Sequence, residues 1–92
     1  MKIIYKHYIP FQESFELELN KGYKILNVGL QNRAICIWVL LDTECEKVKA
    51  IFSVFGTGWS LPELSMSHIG TVQIDPLVWH VFQHDVAKEK DK

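Results

Sequence analysis

The residues able to do chemistry in this chain are few and scattered. Its four imidazoles are His7, His68, His80 and His84. His80 and His84 stand four apart, a spacing that brings two rings together on a helix. On a strand it separates them by about 13 Å, at roughly 3.3 Å per residue, too far for one metal ion. No Cys-x-x-Cys or His-Glu-x-x-His pattern is present, so no metal ligand is assigned. Ser53, Ser60, Ser65 and Ser67 supply hydroxyls, and His68 follows Ser67 directly. A nucleophilic serine needs a base and an orienting acid brought together by the fold, and no Gly-x-Ser-x-Gly elbow marks one. Glu16 and Glu18, about 7 Å apart on one strand face, have the pattern of a solvated face rather than an acid–base pair. Cys36 lies inside the apolar run Ala34-Ile35-Cys36-Ile37-Trp38-Val39-Leu40-Leu41 and reads as a small core hydrophobe. Cys45 stands between Glu44 and Glu46, whose charge would raise a thiol pKa. No catalytic residue and no cofactor is assigned, and the chain reads as a non-enzyme.

The stretch Gly56-Thr57-Gly58-Trp59 offers more. Its glycines permit positive φ and close backbone approach. A dinucleotide fingerprint needs a third glycine and a long following helix, and a phosphate loop needs a Gly-Lys-Ser/Thr ending; neither is here. The plain reading is a turn leaving a strand. The sharper one is a binding surface made by Gly56, Thr57, Gly58 and Trp59, extended by Leu61 and Leu64, since loops on rigid scaffolds carry function disproportionately and tryptophan is favoured at interface centres. For a small anionic ligand, Lys24 or Arg33 would supply the charge. Lys2, Lys6, Lys21, Lys24 and Arg33 fall in the first third of the chain near Tyr5, Tyr8 and Tyr23. That mixture suits a single-strand platform, but the net charge and the interspersed glutamates point away from nucleic acid.

The elements that must position these residues are strands. Residues 15–19 alternate cleanly, with Phe15, Leu17 and Leu19 on one face. Residues 3–9 end at Pro10 and suit an edge strand. Residues 24–31 place Leu26, Val28 and Leu30 on one face, and Asn32-Arg33 is the tight turn that follows. Residues 34–41 are apolar on both faces, as in a central strand covered on both sides. Further strands are expected at 48–55, 69–74 and 77–84, the last closing the sheet. Between them, residues 60–67 hold a loop or at most one short helical turn. About seven short strands at spacings near ten residues predict an all-β, mainly antiparallel sandwich or small barrel over residues 1–85. A charged, disordered tail is expected over 86–92.

Composition sets the scale. The chain has 92 residues, 48% hydrophobic and 23% charged, with a formal net charge of −1. Surface scaling gives about 5,500 Å² folded against about 15,500 Å² unfolded, enough for one core. No apolar run reaches about 18 residues, and the start lacks a signal-peptide pattern, so no membrane span is expected. Two cysteines fit a reducing, cytoplasmic setting better than a disulfide-stapled one.

Taken in order, Gly22-Tyr23-Lys24-Ile25-Leu26, Gln31-Asn32, Ile37-Trp38, Gly56-Thr57-Gly58, Leu61-Pro62, Ile69-Gly70-Thr71-Val72-Gln73 and His80-Val81-Phe82 carry a resemblance. Over about residues 15–83 the chain is similar to a group of small proteins encoded in bacteriophage genomes and bacterial prophages. The resemblance brings no catalytic residues. It implies an accessory phage protein, cytoplasmic in a bacterial host. Such a protein would bind and inhibit a host defence protein, or sequester a small ligand such as a nucleotide. A small hydrolase is the third expectation. Small β modules have edges that pair readily with another chain, so a homo-oligomer is expected too.

Overall fold

A computed structural model describes residues 1–85 of the chain; the tail expected at 86–92 lies outside the described residues. Alternating apolar and polar residues become seven strands: β1 (Lys2–Ile9), β2 (Phe15–Asn20), β3 (Lys24–Gln31), β4 (Ala34–Asp42), β5 (Lys47–Gly56), β6 (Met66–Ile74) and β7 (Leu77–His84). They form a three-stranded sheet in the order β1-β4-β3 and a four-stranded sheet in the order β2-β5-β7-β6, with every pairing antiparallel. The inner faces meet in a core built on Leu19, Ile35, Ile37, Val39, Phe52, Val54 and Val81. This is a small β-sandwich. Among the described residues no helix is long and apolar enough to cross a membrane.

Turn chemistry fixes the register. In Asn20-Lys21-Gly22-Tyr23 and again in Gly56-Thr57-Gly58-Trp59, the fourth N–H donates to the first carbonyl, at 3.1 and 3.2 Å. Gly22 and Gly58, third in each turn, have φ of 85° and 90°. That is the arrangement of a type II turn, which wants glycine there. Between β3 and β4, Asn32 and Arg33 both take positive φ, 54° and 64°, as a two-residue hairpin turn of right-handed twist demands.

Four expectations are corrected. The faces of β3 do not alternate throughout, because the register shifts between Ile25 and Asn27. Leu26 is the extra residue of a bulge and is exposed, while Ile25 and Val28 pack on the core. Strand β6 begins earlier than residue 69, at Met66; the residues before it are a loop, one of the two alternatives expected there. Strand β7 does not close the sheet at an edge; it lies between β5 and β6. Strand β4 is central, but no layer covers its outer face. Cys36, Trp38 and Leu40 point away from the sandwich; Trp38 and Leu40 are partly buried, and Cys36 is fully buried beneath its neighbours on that face, as expected of a small hydrophobe.

The two sheets approach most closely on one side. Gly70 of β6, just past a second bulge, lies so near Val28 that a Cβ there would stand 2.5 Å from the valine Cβ. On the other side β1 and β2 leave a mouth. A cavity of about 360 Å³ opens there, lined among others by Tyr5, His7, Glu18, Asn20, Leu41 and Lys47.

Candidate functional site

The loop 57–65 runs from the end of β5 to the start of β6 around the rim of the four-stranded sheet: Trp59 packs toward the inward-facing Val54 and Trp79, whereas Leu61 and Leu64 border the outward-facing Ser53, Phe55 and His84. Its first turn is fixed by Gly58, as above, and by Thr57, whose N–H donates to the Val78 carbonyl at 3.2 Å. Trp59 folds back so that its indole lies on Gly56; a Cβ at Gly56 would meet the ring at 2.9 Å. The far side of the ring meets Trp79 edge-on, with centroids 5.5 Å apart, and Phe11 covers Trp79 in turn at 5.1 Å. A cavity of about 230 Å³ lies among Phe11, Val54, Trp59 and Trp79. Half of Trp59 remains in solvent, at 50% exposure, and Leu61 and Leu64 further along are 48% and 56% exposed.

Leu61 divides the space beneath the loop. On one side is a hollow of about 490 Å³ over Ser53 and Phe55, bounded by Glu13, Pro62, Leu64 and His84. On the other is a smaller one of about 170 Å³ bounded by Thr57, Trp59, His80 and Phe82. The loop-borne residues expected from the sequence, Gly56, Thr57, Gly58, Trp59, Leu61 and Leu64, are thus one continuous surface. Lys24 and Arg33 are not part of it. Lys24 stands on the outer face of the other sheet, Arg33 in that sheet's β3–β4 turn, and neither borders these hollows.

Sequence reasoning did not find the polar lining of this surface. His80 Nε2 hydrogen-bonds Thr57 Oγ1 at 2.8 Å, and its Nδ1 bonds Thr71 Oγ1 at 3.1 Å. Thr71 Oγ1 is also 2.8 Å from His68 Nε2, which continues the chain of hydrogen bonds across β7 and β6. The clue was the period-two placement of His80, Phe82 and His84 on β7, which puts all three on one face. Ser53 Oγ lies 2.7 Å from His84 Nε2. That pair resembles a nucleophile and its base, but Ser53 is only 2% exposed under the loop. The carboxylate next to His84 in sequence, Asp85, accepts from Ser65 Oγ and Ser67 Oγ at 2.6 and 2.9 Å. The arrangement anchors the far end of the loop to the sheet. Among the described residues, no cluster of three or more His, Cys, Asp or Glu side chains is placed to hold a metal ion.

The titrations of His7 and Tyr23 are among those displaced elsewhere. Burial beside the β1–β2 mouth lowers the His7 pKa, and the charge of Lys47 lowers it further. Burial raises that of Tyr23, whose oxygen accepts a hydrogen bond from Gln83 at 2.6 Å.

One family model matches, over residues 1–92, and its description is a domain of unknown function, DUF7352. No curated protein and no solved structure matches the chain.

Proposed function

The chain belongs to the DUF7352 family, and from that premise we propose that it is a non-enzymatic binding protein whose loop 57–65 engages a protein partner. The observation that carries this is the row of three half-exposed apolar side chains, Trp59, Leu61 and Leu64, on a loop braced at both ends. Apolar groups held in place lose little freedom on binding, which favours affinity. The hollows beside Leu61 would accept the partner's own side chains. Among the described residues their lining includes Glu13 and no lysine or arginine, which suits a protein better than a nucleotide. With Ser53 buried, the same surface is ill suited to hydrolysis. The resemblance to phage-encoded proteins directs the search to a bacterial host protein, inhibited by occupation of its surface. Among the described residues no strand pairs with the outer edge of β1, eight residues without proline, which would give a homo-oligomer a route by strand pairing.

The test is affinity capture from bacterial lysate, followed by reconstitution with the purified candidate. We expect the wild type to retain a protein that the Leu61→Ser/Leu64→Ser variant loses at unchanged Tm, and Trp59→Ala to weaken the reconstituted complex about 30-fold or more, as a hot spot would. Equal retention by wild type and variant would refute the reading. A bound mass of small-molecule size in native mass spectrometry, displaced by the same variant, would replace it with ligand sequestration.

A further inference from the structure

The outer face of the three-stranded sheet is a second surface of different chemistry. The register lays its side chains out in rows across β1, β4 and β3. Ile4, Leu40 and Lys24 are neighbours, then Lys6, Trp38 and Asn27, then Tyr8, Cys36 and Gly29. Trp38 lies over Gly29, where a Cβ would come within 3.4 Å of the indole, so the ring rests against the sheet instead of standing up from it. Tyr8 is 52% exposed. Trp38 and Tyr8 sit on adjacent strands two residues out of step, about 8 Å apart by strand geometry. Lys6 reaches across β4 to Gln31, donates to the Tyr8 hydroxyl at 3.1 Å and holds its ammonium 4.5 Å from the tyrosine ring.

Cations outnumber carboxylates on this face, whereas the other sheet carries both signs, with Lys47 and Lys49 of β5 beside the β2 glutamates. Lys2, Lys6 and Lys24 lie on this face, and Arg33 is in the turn at its end. Its one carboxylate among the described residues, Asp42, is at the far end and already accepts from the N-terminal ammonium at 3.1 Å. Glu16 and Glu18 are on β2 of the other sheet, and Glu13 borders the hollow under the loop.

From this we propose that the outer face of β1-β4-β3 binds single-stranded nucleic acid. Aromatic rings on neighbouring strands of an open sheet offer stacking platforms for successive unpaired bases, and flanking cations take the backbone phosphates. A second copy of the chain fits less well. Face-to-face pairing would set the lysines of one copy against those of the other, with no free carboxylate on that face among the described residues. The net charge of −1 does not oppose the proposal, since the field at a surface follows the local distribution of charge. This face is separate from the loop 57–65, so either surface can fail without the other.

The test is fluorescence anisotropy of labelled oligo(dT) and oligo(rU) of about 12 nucleotides, a length within the usual site range, titrated with the full chain. We expect saturable binding, with log Kd rising against log salt at a slope near 2 for about three phosphate contacts. Tyr8→Ala, at an exposed site that leaves the fold intact, should weaken binding about 5- to 150-fold. Lys24→Gln should lower the salt slope by about 0.7. Leu64→Ser should change nothing. A preference for oligo(rU) would assign RNA as the ligand, and a preference for oligo(dT) would assign DNA. No binding up to about 0.1 mM protein at low salt, or binding indifferent to Tyr8→Ala and Lys24→Gln, would overturn the proposal. So would a dimer in sedimentation that Leu40→Asp, on the central strand of the face and away from the β1 edge, dissociates, because a second copy would then occupy the face.

Discussion

Gly70 shows how much one missing side chain decides in a thin sandwich. A methyl group there would stand 2.5 Å from Val28 Cβ, and neither backbone can retreat without parting β3 from β6. Gly70→Ala should therefore cost about 1–3 kcal/mol by overpacking, each kcal/mol lowering Tm by roughly 4–8 °C at this size. Removing the obstacle should recover part of the loss: Gly70→Ala/Val28→Ala should be less destabilised than the sum of its single variants. Additive costs in that double-mutant cycle would place the strain elsewhere. His7 yields a prediction of another kind. Its folded pKa lies below the usual 6.5 because the ring is buried beside Lys47. Between the two values the unfolded chain binds more protons than the folded one, so stability rises with pH there. The His7 contribution should be intact above about pH 6.5, shrink as pH falls toward the folded pKa, and level off below it. Urea midpoints across that window should lose this slope in His7→Gln. An unchanged slope would assign it to other groups.

At the scale of elements, the β3–β4 hairpin sets stability against the proposed ligand. Arg33 sits at φ 64°, a region that costs a residue with a Cβ roughly 1–2 kcal/mol, partly recovered against glycine's greater freedom when unfolded. Arg33→Gly should gain about 0.5–1 kcal/mol, the Asn-Gly pair being the preferred two-residue turn. The same substitution removes a cation beside the Trp38 face, so it should weaken oligonucleotide binding while raising Tm. A rise in Tm with unaltered affinity would leave Arg33 out of that surface. Most elements were legible because period-two alternation survives in β1, β2, β5 and β7, and turn residues punctuate them. The faces of β3 and the start of β6 were not, because each strand carries a bulge and one extra residue reverses which side chains point inward. An isolated glycine within a strand, as at Gly70, is the signal that such a bulge or a close backbone approach leaves in a sequence. The loop residues 56–64 could be grouped from their nearness in sequence. The grouping of Lys6, Lys24, Tyr8 and Trp38 could not, since it depends on the order β1-β4-β3, and strand order is set by long-range pairing that no local pattern encodes.

For the whole molecule, the consequence is two surfaces on opposite sides of one core. Leu61 and Leu64 of the loop 57–65 border the outer face of β2-β5-β7-β6, with Trp59 at the rim of that sheet, and the Trp38 face is on the outside of β1-β4-β3. The buried residues Ile35, Ile37, Val39, Phe52, Val54 and Val81 stand between them. A packed apolar core, with the Tyr23–Gln83 hydrogen bond at its margin, transmits little energy when exposed side chains are trimmed on either side, and substitutions that far apart with no shared partner add. The quadruple variant Leu61→Ser/Leu64→Ser/Tyr8→Ala/Lys24→Gln should therefore lose both binding activities to the same extent as the two double variants lose one each, with a Tm equal to the sum of their small shifts. Oligonucleotide affinity measured with and without saturating protein partner should likewise be equal. A change in either direction would mean that the loop and the open sheet are coupled, and the Val28–Gly70 contact is where the two sheets are joined closely enough to carry that coupling. Repeating the measurement in Gly70→Ala/Val28→Ala would then separate the cases: coupling carried by the contact should shift with it, whereas coupling through direct touch between partner and oligonucleotide should not.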